Sequence, residues 1–385
     1  MSRTPKVLFL KQTASMRNYF VELGADFSHM VGPVLMYTSV ASDRQVDNLS
    51  IIAAPPYRRD SDRRRLVSWF RYFVGACALT WQTSPQTLLF LVAQPPYLPL
   101  IGYARNIFYG QTYLVLIEDV YPDVLLRHHR LSEKSIITRM WKGLNRLMLS
   151  RAERVFTLGP CMAMAVSQYV TPNKIEIIST WVDSENIKPL AKAHNPFALQ
   201  YGQVGKLTVL YSGNLGNSHD LDTLVEAAKR LEGQPDIHFL IIGDGPRWPE
   251  LNQAAKKMQN LTLLPLQPEE VLPFSLTTGD VAVISLDKDM EGISMPSKTY
   301  YMMAAGCALL GLSRPPNDLQ LVIKKYKCGV NIEPGDIAGA VRAILAFRDN
   351  DNLLTRCRDA ARGAAECEFS RQINVKRLFN SIYAS

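Results

Sequence analysis

Ile237-His238-Phe239-Leu240-Ile241-Ile242-Gly243-Asp244-Gly245-Pro246 is the stretch from which the fold can be read. An almost unbroken apolar run, too short for a helix, stops at a glycine pair. Such a run reads as a strand buried on both faces, and strands of that kind belong to parallel sheets covered by helices. A helical pattern, Trp248–Met258, follows at once. The alternation continues outward on both sides. Upstream lie a strand at Lys206–Tyr211 and a helix at Asp222–Leu231. Downstream, strands at Leu261–Leu264, Val281–Ser285, Ala308–Leu312 and Gly329–Ile332 alternate with helical patterns, among them one led by Pro296 and running through Ala305.

The first half has the same rhythm. Strands are expected at Val7–Leu10, Val34–Tyr37, Leu49–Ala53, Thr87–Val92, Tyr113–Ile117 and Arg154–Thr157. Helices are expected at Ser15–Leu23, Arg63–Leu79, Leu98–Ile107, Ser132–Ser150 and from Pro160. Strand–helix alternation on this scale implies an α/β fold of two Rossmann-like domains facing across a cleft. The boundaries are residues 1–185, a linker at 186–205 where periodicity fails among Pro189, Pro196, Gly202 and Gly205, and a second domain at 206–368. Residues 369–385 read as a last helix packing back on the first domain.

Composition agrees with that reading. The 385 residues are 47% hydrophobic and 20% charged, which suits two buried cores rather than a fibrous or disordered chain. The six cysteines form no CxxC pair and have no histidine at ligand spacing, so they read as small buried hydrophobes in a reducing compartment, with no metal site. Val7–Leu10 is too short for the core of a signal peptide. Leu66–Trp81, interrupted by Arg71, is too short to span a bilayer. A cytoplasmic protein without a transmembrane anchor is expected. The formal charge of +8 lies wholly in residues 1–190, with 22 basic against 14 acidic residues; residues 191–385 hold 21 of each. An anionic partner for the first half follows, a membrane surface more than nucleic acid.

Three segments of the second half carry candidate chemistry. Gly243-Asp244-Gly245-Pro246 joins a strand to a helix, where glycine lets backbone approach a ligand and a helix start attracts an anion. The third glycine of a dinucleotide fingerprint is replaced by Trp248, which argues against NAD. A plain tight turn explains this pair about as well. Ser212-Gly213-Asn214-Leu215-Gly216 is a second strand-to-loop glycine pair, and by itself it reads as a turn. Glu291-Gly292-Ile293-Ser294-Met295-Pro296-Ser297-Lys298 says more: an acid, a glycine and small polar residues lead to a Pro-led helix start. Its free N–H groups and Lys298 suit a diphosphate, and Glu291 suits sugar hydroxyls. A lysine in a helix's first turn is unfavourable unless an anion sits there.

In order and spacing, these segments resemble retaining glycosyltransferases of family four, of the GT-B fold, and especially the subgroup that builds bacterial surface polysaccharides. The resemblance covers roughly residues 206–312, including His219-Asp220-Leu221-Asp222-Thr223-Leu224, Pro296-Ser297-Lys298 and Ala304-Ala305-Gly306. It implies that Glu291 contacts the donor sugar and that Gly292, Ile293, Ser294 and Ser297 hold the diphosphate with Lys298. It also implies that Gly213, Asn214 and His219 lie by the phosphates, that Gly243, Asp244 and Gly245 lie along the nucleotide, and that the stretch to Leu266 faces the base. The chain departs from the family in three places: Tyr301 stands where a second glutamate often binds ribose, and Asn214 and His219 stand for the usual Arg and Lys.

In the first half, Glu118-Asp119 follows a strand and precedes Tyr121-Pro122-Asp123. The resemblance makes Asp119 a catalytic candidate that orients or deprotonates the acceptor. Lys11-Gln12-Thr13-Ala14-Ser15 replaces the usual glycine-rich first loop. The implied substrates are a nucleotide-sugar, UDP-linked by preference, and a saccharide or lipid-linked acceptor, with no metal and no cofactor. The helix Arg63–Phe73 interleaves arginines with Trp69, Phe70 and Phe73, which suits the interface of an anionic inner membrane as well as it suits a solvated rim. Two alternatives share the fold: a nucleotide-sugar 2-epimerase, and a non-catalytic basic membrane- or nucleic-acid-binding protein.

Overall fold

The computed structural model describes residues 4–13, 19–39, 46–58, 61–286 and 289–383. The expected helix start at residues 15–18, Ala14 and Ser15 of the first loop, and residues 287–288 lie outside them. The chain forms two units: residues 1–179 with 375–385, and residues 180–374.

The strands of the first unit are β1 (Val7–Lys11), β2 (Val34–Thr38), β3 (Leu49–Ala53), β4 (Leu88–Val92), β5 (Tyr113–Ile117), β6 (Arg154–Thr157) and β7 (Ile175–Ile177). Its helices are α1 (Tyr19–Val31), α2 (Asp62–Gln82), α3 (Pro99–Tyr109), α4 (Asp123–Arg127), α5 (Ile136–Ser150) and α6 (Pro160–Val166). Among the described residues the strands make one parallel sheet in the order β3-β2-β1-β4-β5-β6-β7. Buried β1, β4 and β5 form its centre, which is why their sequences are apolar without alternation.

The second unit contains β8 (Leu207–Asn214), β9 (Ile237–Asp244), β10 (Leu261–Leu264), β11 (Val281–Ser285), β12 (Ala308–Leu312) and β13 (Gly329–Ile332). Its helices are α7 (Pro196–Gln200), α8 (Asp222–Arg230), α9 (Trp248–Ala255), α10 (Leu272–Thr277), α11 (Lys298–Ala304), α12 (Asp318–Tyr326), α13 (Ile337–Asp349) and α14 (Asp351–Cys367). The last helix, α15 (Arg371–Tyr383), begins in this unit and ends in the first, where the Phe379 ring lies 6.0 Å from Phe27 of α1. The sheet order is β10-β9-β8-β11-β12-β13, again all parallel. In both sheets strand order reverses beside the first strand of the unit. That reversal opens a crevice at the C-terminal ends of the strands, the natural ligand site of an open α/β sheet.

Three details differ from the sequence reading. Lys11 does not end the first run: it is the last residue of β1 and is buried. Its ammonium donates to Glu118 at 2.6 Å, a partner 107 residues away. The stretch expected as a linker, residues 186–205, is built into the second unit. Lys192 there donates to the Lys206 carbonyl and Thr208 Oγ1, both at 2.7 Å, and pairs with Asp280. Fully buried Asn195 accepts from Phe197 N at 2.9 Å and donates to the Phe274 carbonyl at 2.9 Å. Finally, α11 begins at Lys298 rather than at Pro296.

Candidate active site

The site is built where β8 and β11 diverge. β8 leaves the sheet through Ser212, Gly213 and Asn214, and β9 leaves beside it, with Gly213 paired to Gly243 and Asn214 to Asp244. The two loops are then zipped together. Leu215 N donates to the Asp244 carbonyl at 2.8 Å, and Arg247 N donates to the Leu215 carbonyl at 3.1 Å. A β-carbon at Gly243 would run into the Gly213 carbonyl, and one at Gly245 would lie 2.6 Å from the Leu215 carbonyl oxygen. Gly245 also has φ +153°, which side chains resist. The missing side chains at 243 and 245 therefore make room for the β8 loop itself. Backbone meets backbone here, which is the plain-turn reading of the pair.

Gly213 is different. Its φ is +144°, and the space above it belongs to Lys298, whose Cδ and Nζ lie 3.7 and 3.9 Å from where a β-carbon would stand. Lys298 opens α11, after β11, and leans back across the reversal point to β8. Its ammonium sits 3.9 Å from the centroid of the Tyr211 ring, a cation–π contact. Tyr211 is fully buried and donates from its hydroxyl to the Asn214 carbonyl at 2.7 Å. One buried tyrosine thus braces both the cation and the end of β8.

In the described part of the segment between β11 and α11, Met290, Ile293 and Met295 are buried, while Glu291, Gly292 and Ser294 are half-exposed. Gly292 has φ +76°, and Ile293 N donates to the Met290 carbonyl at 3.2 Å. With its side chain buried, Ile293 offers a ligand only backbone. Ser297 is exposed and makes no side-chain cap. The first amides of α11 turn inward: Thr299 N donates to the Pro296 carbonyl at 3.1 Å and Tyr300 N to the Ser297 carbonyl at 3.2 Å. Positive charge at this helix start therefore comes chiefly from Lys298.

Asn214 and His219 are brought together over Gly216, where a β-carbon would meet Asn214 Nδ2 at 2.9 Å and His219 Cδ2 at 3.3 Å. Asp220, and Arg247, which the sequence reading passed over, shape this loop. Asp220 caps α8 by accepting from Thr223 N at 3.1 Å, and its own N–H donates to Ser285 Oγ at the end of β11, 2.8 Å away. Arg247, nearly buried, pairs with Asp222 and with Glu250 at 2.8 Å, and reaches the His219 carbonyl at 3.4 Å. The local signal for Arg247 was its place directly after the glycine turn, ahead of α9. Leu266 lies apart from this group, beyond edge strand β10 and 58% exposed at the same edge of the sheet.

Asp119 lies in the first unit. It follows β5 and, with Tyr121, Asn145 and Tyr169, lines a small, otherwise mostly apolar pocket. Burial first, then the neighbouring Asp119 carboxylate, pushes the Tyr121 hydroxyl up to about 12, so it stays protonated at neutral pH. Glu118 is committed to Lys11, whereas Asp119 sits in the pocket wall, so the adjacent carboxylates have separate tasks. Gln12 closes the β1–β4 reversal point in this unit: it is fully buried and donates from Nε2 to the Ser68 carbonyl at 3.1 Å.

Residues 206–350 match the family profile described as "Glycosyl transferases group 1". The chain is 25% identical over 325 residues to "Probable glycosyltransferase WbjE" of Pseudomonas aeruginosa, covering 82% of this chain and 79% of that protein. Among solved structures, it is similar to a sucrose-phosphate synthase of Thermosynechococcus elongatus, with a TM-score of 0.75, 15% identity, and 99% and 100% of the two chains covered. It is also similar to Anabaena Alr3699/HepE in complex with UDP-glucose, with a TM-score of 0.72, 11% identity, and 98% and 99% covered. The fold is GT-B, and the protein is an enzyme of the glycosyltransferase class. Among the described residues, no helix is long and apolar enough to cross a membrane.

Proposed function

We propose that the protein is a retaining glycosyltransferase of family four that moves a sugar from a UDP-sugar to a hydroxyl of a lipid-linked saccharide, in the synthesis of a surface polysaccharide at the cytoplasmic face of the membrane. The observation that carries this reading is the placing of Lys298 over Gly213 at the β8–β11 reversal point, beside the half-exposed segment Glu291–Ser294. A similar fold is known in complex with UDP-glucose, which supports the choice of donor.

In this reading the Lys298 ammonium neutralises the diphosphate as its bond to the anomeric carbon breaks, and the amides of Gly292–Ser294 hold its oxygens. Glu291 accepts from sugar hydroxyls. The acceptor oxygen bonds to the anomeric carbon on the face the diphosphate leaves, and its proton passes to a departing phosphate oxygen. Asp119 orients the acceptor. The donor is a substrate, and no metal or further cofactor takes part.

Thermal shift against UDP-, GDP- and ADP-sugars tests the donor assignment, because a ligand that binds the folded state raises its melting temperature. UDP-sugars should stabilise the wild type. Lys298→Ala should weaken donor binding about 10–100-fold, the worth of one charge-assisted hydrogen bond of about 1.5–3 kcal/mol. Glu291→Ala should lower transfer more than nucleotide binding. Unchanged transfer in both variants would show that the site is elsewhere. Activity that persists in EDTA, and a product NMR spectrum with the donor's anomeric configuration, test the remaining parts.

A further inference from the structure

α2 turns Ser68, Trp69, Tyr72, Ala76 and Thr80 inward, as an amphipathic helix should. Its outer side is not polar. Leu66, Val67, Phe70 and Val74 form an exposed apolar stripe, with Phe70 65% exposed. Arg63, Arg64 and Arg71 flank that stripe. α5 repeats the arrangement: Thr138, Asn145, Met148 and Leu149 point inward, while Ile136 and Met140 stand out at 72% and 70% exposure beside Arg139 and Arg146.

The two stripes share one face of the first unit. The crossovers β3→β4, β4→β5 and β5→β6 all move in the same direction along the sheet. Right-handed crossovers moving one way place their helices on one side, so α2, α3 and α5 lie side by side, and α1, from the opposite move, lies on the other. Side chains join the pair. Trp69 of α2 meets Tyr121 edge-on at 6.1 Å, and Tyr121 stacks on Trp141 of α5 at 6.1 Å. Arg130, just before α5, pairs with Asp62 of α2 at 2.9 Å. Crossover helices run antiparallel to their strands, so the N-terminal halves of α2 and α5, with Phe70, Ile136 and Met140, lie at the strand ends where β5 delivers Asp119.

We propose that the outer faces of α2 and α5 form a docking surface for an anionic phospholipid bilayer, placing the acceptor edge of the first unit against the headgroups. The proposal rests on the reading of the acceptor as lipid-linked. Charge selects the occupant. α2 carries four arginines against one acid, and α5 three basic residues and no acid. Among the described residues, Asp62 is matched by Arg65 and Arg130, and Glu133 by Lys142. Apolar side chains interleaved with cations suit acyl chains beneath phosphates, whereas the core of a protein–protein interface is depleted of charge.

Co-sedimentation of the full-length protein with phosphatidylcholine vesicles, and with vesicles carrying about a third phosphatidylglycerol, tests this. Binding should be strong only to the anionic vesicles and should weaken as salt rises. Each Arg→Ala at 63, 64 or 71 should lower it about fivefold. Phe70→Glu with Met140→Glu should abolish it, leaving the thermal melt and the UDP-sugar shift as in the wild type, because both side chains are exposed. Equal binding to neutral vesicles, or anionic binding unaffected by the paired glutamates, overturns the proposal. So does a dimer in light scattering that the same glutamates dissociate, without vesicle binding; the face is then a protein interface. Wild-type vesicle binding that fails while the UDP-sugar shift survives removes the docking surface and leaves the donor site standing. The reverse result removes the donor site alone.

Discussion

Gly245→Ala tests how the two glycine loops are locked together. The new methyl would lie 2.6, 2.7 and 2.9 Å from the carbonyl oxygen, carbonyl carbon and nitrogen of Leu215, against an ordinary contact of 3.4 Å or more. The Leu215 backbone cannot yield cheaply, since its nitrogen and its carbonyl are both bonded to the β9 loop. Overpacking of this kind costs roughly 1–3 kcal/mol. The φ of +153° adds roughly 1–2 kcal/mol once a β-carbon is present. The total is about 2–5 kcal/mol, which for a unit the size of residues 180–374 lowers its melting temperature by roughly 5–15 °C. Circular dichroism melts provide the readout, with Gly233→Ala as control: a β-carbon there meets nothing within 4 Å. The control should melt at or slightly above wild type, through the lower entropy of its unfolded chain. Donor binding should fall in Gly245→Ala as well, because displacing Leu215 moves Gly213 and Asn214. If both variants melt within a degree of each other and bind UDP-sugar equally, the β8 loop is not held by this contact and the reasoning fails.

Other predictions concern buried charge. His238, on β9 and bonded to Thr262 Oγ1 at 2.9 Å, has its pKa lowered to about 4, first by burial and then by Lys206 and Lys192. The unfolded chain binds this proton near 6.5 and the folded chain only near 4, so stability is full above about pH 6.5 and falls as pH drops towards 4, by about 3 kcal/mol. Urea titrations across that range should show the slope in wild type and a shallower one in His238→Asn. Asp280 accepts from Arg358 at 3.1 Å and from Thr208 N at 2.8 Å and pairs with Lys192, so Asp280→Asn leaves two cations partly buried and unmatched. The cost should be about 3–5 kcal/mol, read as an earlier thermal transition of the second unit. An unchanged melt would mean that water already satisfies those cations.

Much of this protein was legible in its sequence, because the signals for a parallel α/β fold are local. A run such as Ile237–Ile242 is apolar throughout because both faces of a central parallel strand are buried, and the glycine after it marks the chain leaving the sheet. Asp220 behaves as its helix-capping chemistry suggests. The candidate donor segments were picked out by their order alone: Gly213 and Gly243 fall at the C-terminal ends of β8 and β9, and Glu291 and Lys298 follow β11 of the same sheet.

What the tertiary structure alone decided has a common physical origin: interactions between residues far apart in the chain leave no local trace. Lys11 looks like the end of an apolar run, yet its ion pair with Glu118 allows it to be buried in β1. Residues 186–205 look like a linker because no periodicity marks them, but Lys192 and Asn195 spend their polar groups on the second unit. The glycines at 243 and 245 are required by the loop lying against them, whose identity depends on strand order. Lys298 acquires its place from Tyr211, a side chain on a strand far earlier in the chain. Residue chemistry and periodicity set the elements and the kind of site; pairing across the sheet selected which of those residues meet.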